Sequence, residues 1–137
     1  MKRVMILMLA LVVVSDVRAD RTAITATVAP GLFTTAGTEL TETTADVTNT
    51  NRVTMTGAGL DMLLARNTDV SSHNVTVTSV TDSRGRTGNI TAESIPAGKT
   101  HIYGPFSLEG WRQSSDNSLY FDANSNTVKF SVIRLGK

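Results

Sequence analysis

Apolar and polar residues alternate in short runs along most of this chain. The clearest run is 74–81, where Val75 and Val77 fall on one face and Thr76 and Thr78 on the other. A period of two is the signature of a strand with one buried and one wet face. Residues 52–56 alternate in the same way. Over 60–66, Leu60, Met62 and Leu64 share a face, and a run this short between Gly59 and Asn67 favours a strand over a helix. Residues 90–95 read as a further strand, as do 101–106, where Pro105 ends the strand or places it at a sheet edge. The pattern predicts a terminal hairpin of 119–122 and 128–135 around Ala-Asn-Ser-Asn, with Val128, Phe130 and Val132 on one face.

Breakers stand between these runs: Gly57-Ala-Gly59, the polar stretch 67–72, the Gly-rich stretch 82–88 and Pro96-Ala-Gly98. Upstream, 20–28 alternates with Ile24, Ala26 and Val28 on one face until Pro30-Gly31 breaks it. Residues 32–46 carry almost no core-forming side chain after Phe33, and read as a loose loop or as an arm that gains order against a partner. Short strands with turn signals every 8–12 residues describe an all-β fold: a two-sheet, jelly-roll-like β-sandwich of about eight short strands with an extended N-terminal arm. The implied organisation is an apolar leader (1–19), a first strand and arm (20–50) and a sandwich domain (51–137).

Composition narrows the picture. At 137 residues, with 40% hydrophobic and 5% aromatic residues, the chain holds one modest core. With no cysteine, disulfides, thiolate metal sites and cysteine nucleophiles are excluded. The 21 threonines interleave with Val, Ile and Leu, as expected of solvent faces of strands and not of a disordered chain. A net charge of +1 is not the balance of a protein built to hold nucleic acid.

The leader pairs Lys2-Arg3 with an apolar run, 4–14, and small residues at 17 and 19, which fits a secretory signal peptide. The run is too short to span a membrane. The same residues also fit a start codon assigned too far upstream, or a true N-terminal extension. Without Lys2, Arg3, Arg18 and Asp16 the net charge becomes −1.

No catalytic constellation is evident. The two histidines, His73 and His101, lie in no metal-binding spacing, and no Gly-x-Ser-x-Gly turn is present. Asp122-Ala-Asn-Ser-Asn126 opens like a calcium loop, but Thr127 stands where that loop needs Gly and Ile133 where it needs Glu. Asn74 and Asn89 head glycosylation sequons that matter only in a eukaryotic secretory pathway. The chain therefore reads as a binding protein without cofactor or metal, not as an enzyme. Its candidate anchors are Arg84 and Arg86, on a turn where paired guanidiniums can grip carboxylates, and Trp111 with Arg112, where a lone Trp either plugs the core or anchors an interface.

Several blocks taken together resemble small structural proteins of tailed bacteriophages, the head decoration proteins encoded near the major capsid protein. They are Ala-Asp-Arg-Thr-Ala-Ile-Thr at 19–25, Leu-Leu-Ala-Arg-Asn-Thr at 63–68, Ser-Arg-Gly-Arg-Thr-Gly-Asn-Ile-Thr at 83–91 and 95–106. Glu-Gly-Trp-Arg-Gln at 109–113, Leu-Tyr-Phe at 119–121 and 128–135 complete the set, and the likeness covers 19–137. It implies a sandwich on the capsid exterior, bound to the major capsid protein as a homotrimer, with no nucleic acid and no membrane in the mature form. Residues 20–44 would then lie over neighbouring subunits, with Arg21 and Phe33 on the arm and Arg84, Arg86, Trp111 and Arg112 on the body as contact residues. The leader departs from the pattern, since such proteins begin near Asp20. Taken at face value, it leaves a second expectation: a secreted or surface sandwich that binds carbohydrate or a host receptor.

Overall fold

A computed structural model describes residues 20–31, 36–57 and 59–136. The leader 1–19 and Phe33 lie outside the described residues. All regular structure among the described residues is β, with no helix. The strands are β1 (Thr22–Ala23), β2 (Thr27–Val28), β3 (Thr43–Thr44), β4 (Asn51–Thr54), β5 (Gly59–Asn67), β6 (His73–Thr78), β7 (Ile90–Ile95), β8 (Thr100–Phe106), β9 (Ser118–Ala123) and β10 (Val128–Gly136).

They form two mixed sheets, an arrangement consistent with a β-sandwich and not a barrel. One sheet runs β1-β4-β9-β6-β7; the other runs β2-β10-β5-β8, with β3 also on β10. The longer strands all pair antiparallel, and β5 matches β10 residue for residue from Asn67 opposite Val128 to Gly59 opposite Gly136. Only the two-residue strands β1 and β2 run parallel to their partners. From β3 onward every connection except β6 to β7 crosses from one sheet to the other.

The core lies between the sheets. Val53, Val75, Val77, Ile95, Leu119 and Phe121 face it from one side; Leu63, Ala65, Tyr103, Phe106, Phe130 and Val132 face it from the other. Phe121 and Phe130 meet edge to face with ring centroids 4.8 Å apart, joining the layers at their centre. Two buried asparagines are fully engaged, as buried polar groups must be. Asn67 donates to the carbonyls of Ser71 and Ile95, and Asn51 accepts from the Asp46 amide.

The structure redraws three sequence expectations. The inward face of β5 is Asp61, Leu63, Ala65 and Asn67, not Leu60, Met62 and Leu64. Asp61 is only 2% exposed because Arg134, opposite it on β10, closes a two-pronged ion pair at 2.7 and 3.0 Å. Strands β9 and β10 do not form a hairpin: they belong to different sheets, and 124–127 is an arch between them. Val28 does not share the buried face of Ile24 but is 59% exposed.

The N-terminal segment is laid along one side of this same molecule. β1 extends the first sheet beyond β4, while β2 and β3 occupy successive stretches of the outer edge of β10. Ile24 is buried and its amide donates to the Arg52 carbonyl at 2.8 Å. Asp46 accepts from the Thr22 hydroxyl and from the amides of Thr48 and Asn49. Those donors, the Asn49 amide foremost, hold its carboxyl well below the usual range. Unpaired sheet edges invite association, and this segment covers the two on its side.

Candidate functional site

Two loops meet at one end of the molecule. One joins β6 to β7 and carries Arg84 and Arg86; the other joins β8 to β9 and carries Trp111 and Arg112. Between them is an open recess of about 550 Å³ whose lining includes Arg84, Arg86, Trp111, Asp82, Glu109 and Thr87. Residues 22 or more positions apart in sequence thus share one surface.

The recess is rigidly built. The Asp82 amide donates to the Arg86 carbonyl and the Gly85 amide to the Asp82 carbonyl, closing a tight turn. Gly85 takes a φ of 76°, the left-handed conformation that favours glycine. The Asp82 carboxylate accepts from the amides of Arg84 and Arg86 at 2.9 and 2.8 Å and from the Arg86 guanidinium at 2.8 Å. Those bonds, led by the Arg86 amide, lower its pKa. The Val80 amide bonds the Gly110 carbonyl at 2.8 Å, and the Ser83 hydroxyl bonds Glu109, so the two loops are tied together. Beneath them, Trp111 is half-buried and meets Phe106 edge-on at 4.6 Å. It is both core plug and recess wall.

The cations differ in what remains available to a ligand. The Arg86 fork is taken by Asp82. The exposed guanidiniums of Arg84 and Arg112 have no partner among the described residues.

Arg21 stands elsewhere. It lies over the Tyr120 ring at 3.9 Å and pairs with Asp122 at 3.2 Å, in a second recess of about 610 Å³ that shares no lining residue with the first. Arg52 bridges Asp20 and Asp116 beside it. This second recess is slightly larger, but Arg21, the guanidinium that lines it, is spent holding the N-terminal segment against the sheet. Arg21 is thus a clamp within the chain in this structure.

The histidines also have local work. His73 bonds Asp69 at 2.7 Å next to a turn, and His101 reaches Glu93 at 3.2 Å across the β7–β8 side. No group of three His, Asp or Glu side chains is gathered as for a metal ion among the described residues. No helix among them is long and apolar enough to cross a membrane.

No family model matches the chain, no curated protein matches its sequence and no solved structure matches its fold.

Of the four body anchors expected from the sequence, Arg84, Arg86 and Trp111 line the recess and Arg112 does not. Asp82 and Glu109, which brace the two loops, are not evident as functional residues in the sequence. The Asp-Ser-x-Gly order at 82–85 was the available signal, since Asp at such a position bonds the amides that follow it.

Proposed function

We propose that this protein is a bacteriophage head decoration protein that docks on the outer surface of the capsid and strengthens contacts between capsid subunits. One observation carries the reading. The segments 83–91 and 109–113, two of the blocks that resemble phage decoration proteins, both contribute lining residues to the recess between the two loops. A cement needs a stable β body, anchors held in fixed geometry and many copies acting together, because weak contacts repeated on a lattice gain by avidity. The partner is the major capsid protein, the assembly is a homotrimer and the location is the capsid exterior.

The fold proposed with it is the jelly roll. Leaving aside the parallel β1 and β2, the strands run β3-β10-β5-β8 and β4-β9-β6-β7, all antiparallel, with the chain alternating between sheets. That order supports a double Greek key, an architecture used by viral capsid and lectin domains alike. Fold therefore does not choose between virion and sugar-binding roles.

The aromatic side chains favour the virion. A sugar platform needs exposed ring faces, whereas Tyr103 is buried, Tyr120 lies under Arg21 and Trp111 is packed on Phe106. The test compares particles carrying the protein with particles lacking it, under heating and at low salt. Earlier loss of packaged genome from the deficient particles is expected; equal robustness overturns the cementing role.

A further inference from the structure

We infer that the recess between the 79–89 and 107–117 loops is a docking site for a carboxylate side chain on a protein partner, received by Arg84 against the wall of Trp111. The inference deepens the docking reading above and rests on it, by naming what the partner presents.

Four observations lead there. First, the charges of the recess are not equally available. Asp82 occupies the Arg86 fork, while Glu109 accepts from the Ser83 hydroxyl and keeps its charge, which acts on Arg86. The Arg84 guanidinium is uncommitted among the described residues, and a guanidinium fork matches a carboxylate bidentately.

Second, the backbone beneath Arg84 is fixed before any partner arrives. Its own amide is bonded to Asp82, and its turn is closed at both ends. A site ordered in advance loses less entropy on binding.

Third, the lining is of mixed sign. Asp82 and Glu109 stand beside Arg84 and Arg86. A polyanion such as nucleic acid would be repelled by those carboxylates over most of its length. A single carboxylate within an otherwise neutral stretch needs one cation, and Arg84 is the lining guanidinium without a partner among the described residues. Arg112, though next in sequence to Trp111, does not line the recess.

Fourth, Trp111 contributes apolar surface at the wall of a largely polar recess. That combination suits the methylene stem of a glutamate or the apolar neighbour of an aspartate.

The experiment titrates the isotopically labelled full chain with an acetylated, amidated Ala-Ala-Glu-Ala-Ala peptide and follows backbone amides and the indole N–H by NMR. Shifts confined to 82–88 and 109–112 are expected, with an affinity on the order of millimolar. The matched glutamine peptide should bind about two- to fivefold more weakly, because the exposed charge pair is lost. Arg84→Gln should remove the same factor, and Arg84→Lys should restore part of it. Arg84 is exposed and braces nothing with its side chain, so both variants keep the fold.

Equal shifts with the glutamine peptide overturn the inference. So do shifts centred away from the recess, or tighter binding of a thymidine oligonucleotide than of the glutamate peptide. The measurement uses isolated protein and is independent of particle association. A silent recess on a protein found in particles sinks this inference alone, whereas a functional recess on a protein absent from particles sinks the decoration reading alone.

Discussion

The claim that residues 20–31 are part of the folded body can be tested at Ile24. Its side chain is 5% exposed, and its amide bonds the Arg52 carbonyl at 2.8 Å. Ile24→Ala removes three buried carbon atoms, for which a loss of about 2–5 kcal/mol is usual in a core. This segment is held by a few backbone bonds, the Thr22–Asp46 contact and the Arg21 clamp, so it can detach and rebind water. The loss cannot exceed the free energy that docks the segment, which places the expected value at the lower end, about 2–3 kcal/mol. At about 3–5 °C per kcal/mol for a domain of this size, Tm should fall by about 6–15 °C. Val28→Ala on the same segment is the control: its side chain is 59% exposed, and a change within about 0.5 kcal/mol is expected. The assay is urea and thermal unfolding of the full chain followed by circular dichroism. A loss below about 1 kcal/mol for Ile24→Ala, or equal effects of the two substitutions, would show that the segment is not docked in solution and that the arm is free to reach a neighbour.

Three further outcomes follow from the packing. Asp61→Ala leaves the Arg134 guanidinium without its charge partner between β5 and β10 and should cost about 3–5 kcal/mol in urea unfolding, while the double change Asp61→Leu with Arg134→Met should recover most of that. Tyr103→Phe removes a buried hydroxyl that has no hydrogen-bond partner among the described residues, and whose pKa burial pushes up to about 12 with Glu93 adding to the effect; thermal unfolding should be unchanged or up to about 1 kcal/mol more favourable to the fold. Asp46, Asp69 and Asp82 all have pKa values below the ordinary 3.8, so their stabilisation is present above that pH and is lost as pH falls through their folded values. Tm should therefore drop on acidification below about pH 4, and Asp46→Asn should flatten the drop.

The sequence disclosed the strands better than their partners. β6 was legible because Val75 and Val77 alternate with threonines and nothing on the other face competes. β5 was legible as a strand but not in orientation, since Leu60, Met62, Leu63 and Leu64 put apolar groups on both faces. What turns it is Asp61, which enters the interior only because Arg134, 73 residues away, neutralises it. The link at 124–127 has the turn chemistry of a hairpin, and the same chemistry serves an arch between sheets. The choice depends on whether β9 finds a better neighbour, and it lies between β4 and β6. The arm was underestimated for a similar reason. Its threonines look unanchored in sequence, yet Thr22, Thr43 and Thr44 supply backbone for edge ladders whose partners are distant. The recess was visible only in pieces. Arg84 and Trp111 are joined by the course of β7 and β8 through the two sheets, which no local spacing records.

The central claim is membership of a virus particle. Its most direct test is a cryo-electron-microscopy map, with mass spectrometry, of tailed particles purified from cells that express the gene. Stoichiometric protein is expected, with density outside the capsid shell into which this β body fits with the 79–89 and 107–117 loops facing the shell. Particles without the protein, or density that seats the opposite end of the molecule on the capsid, would contradict it.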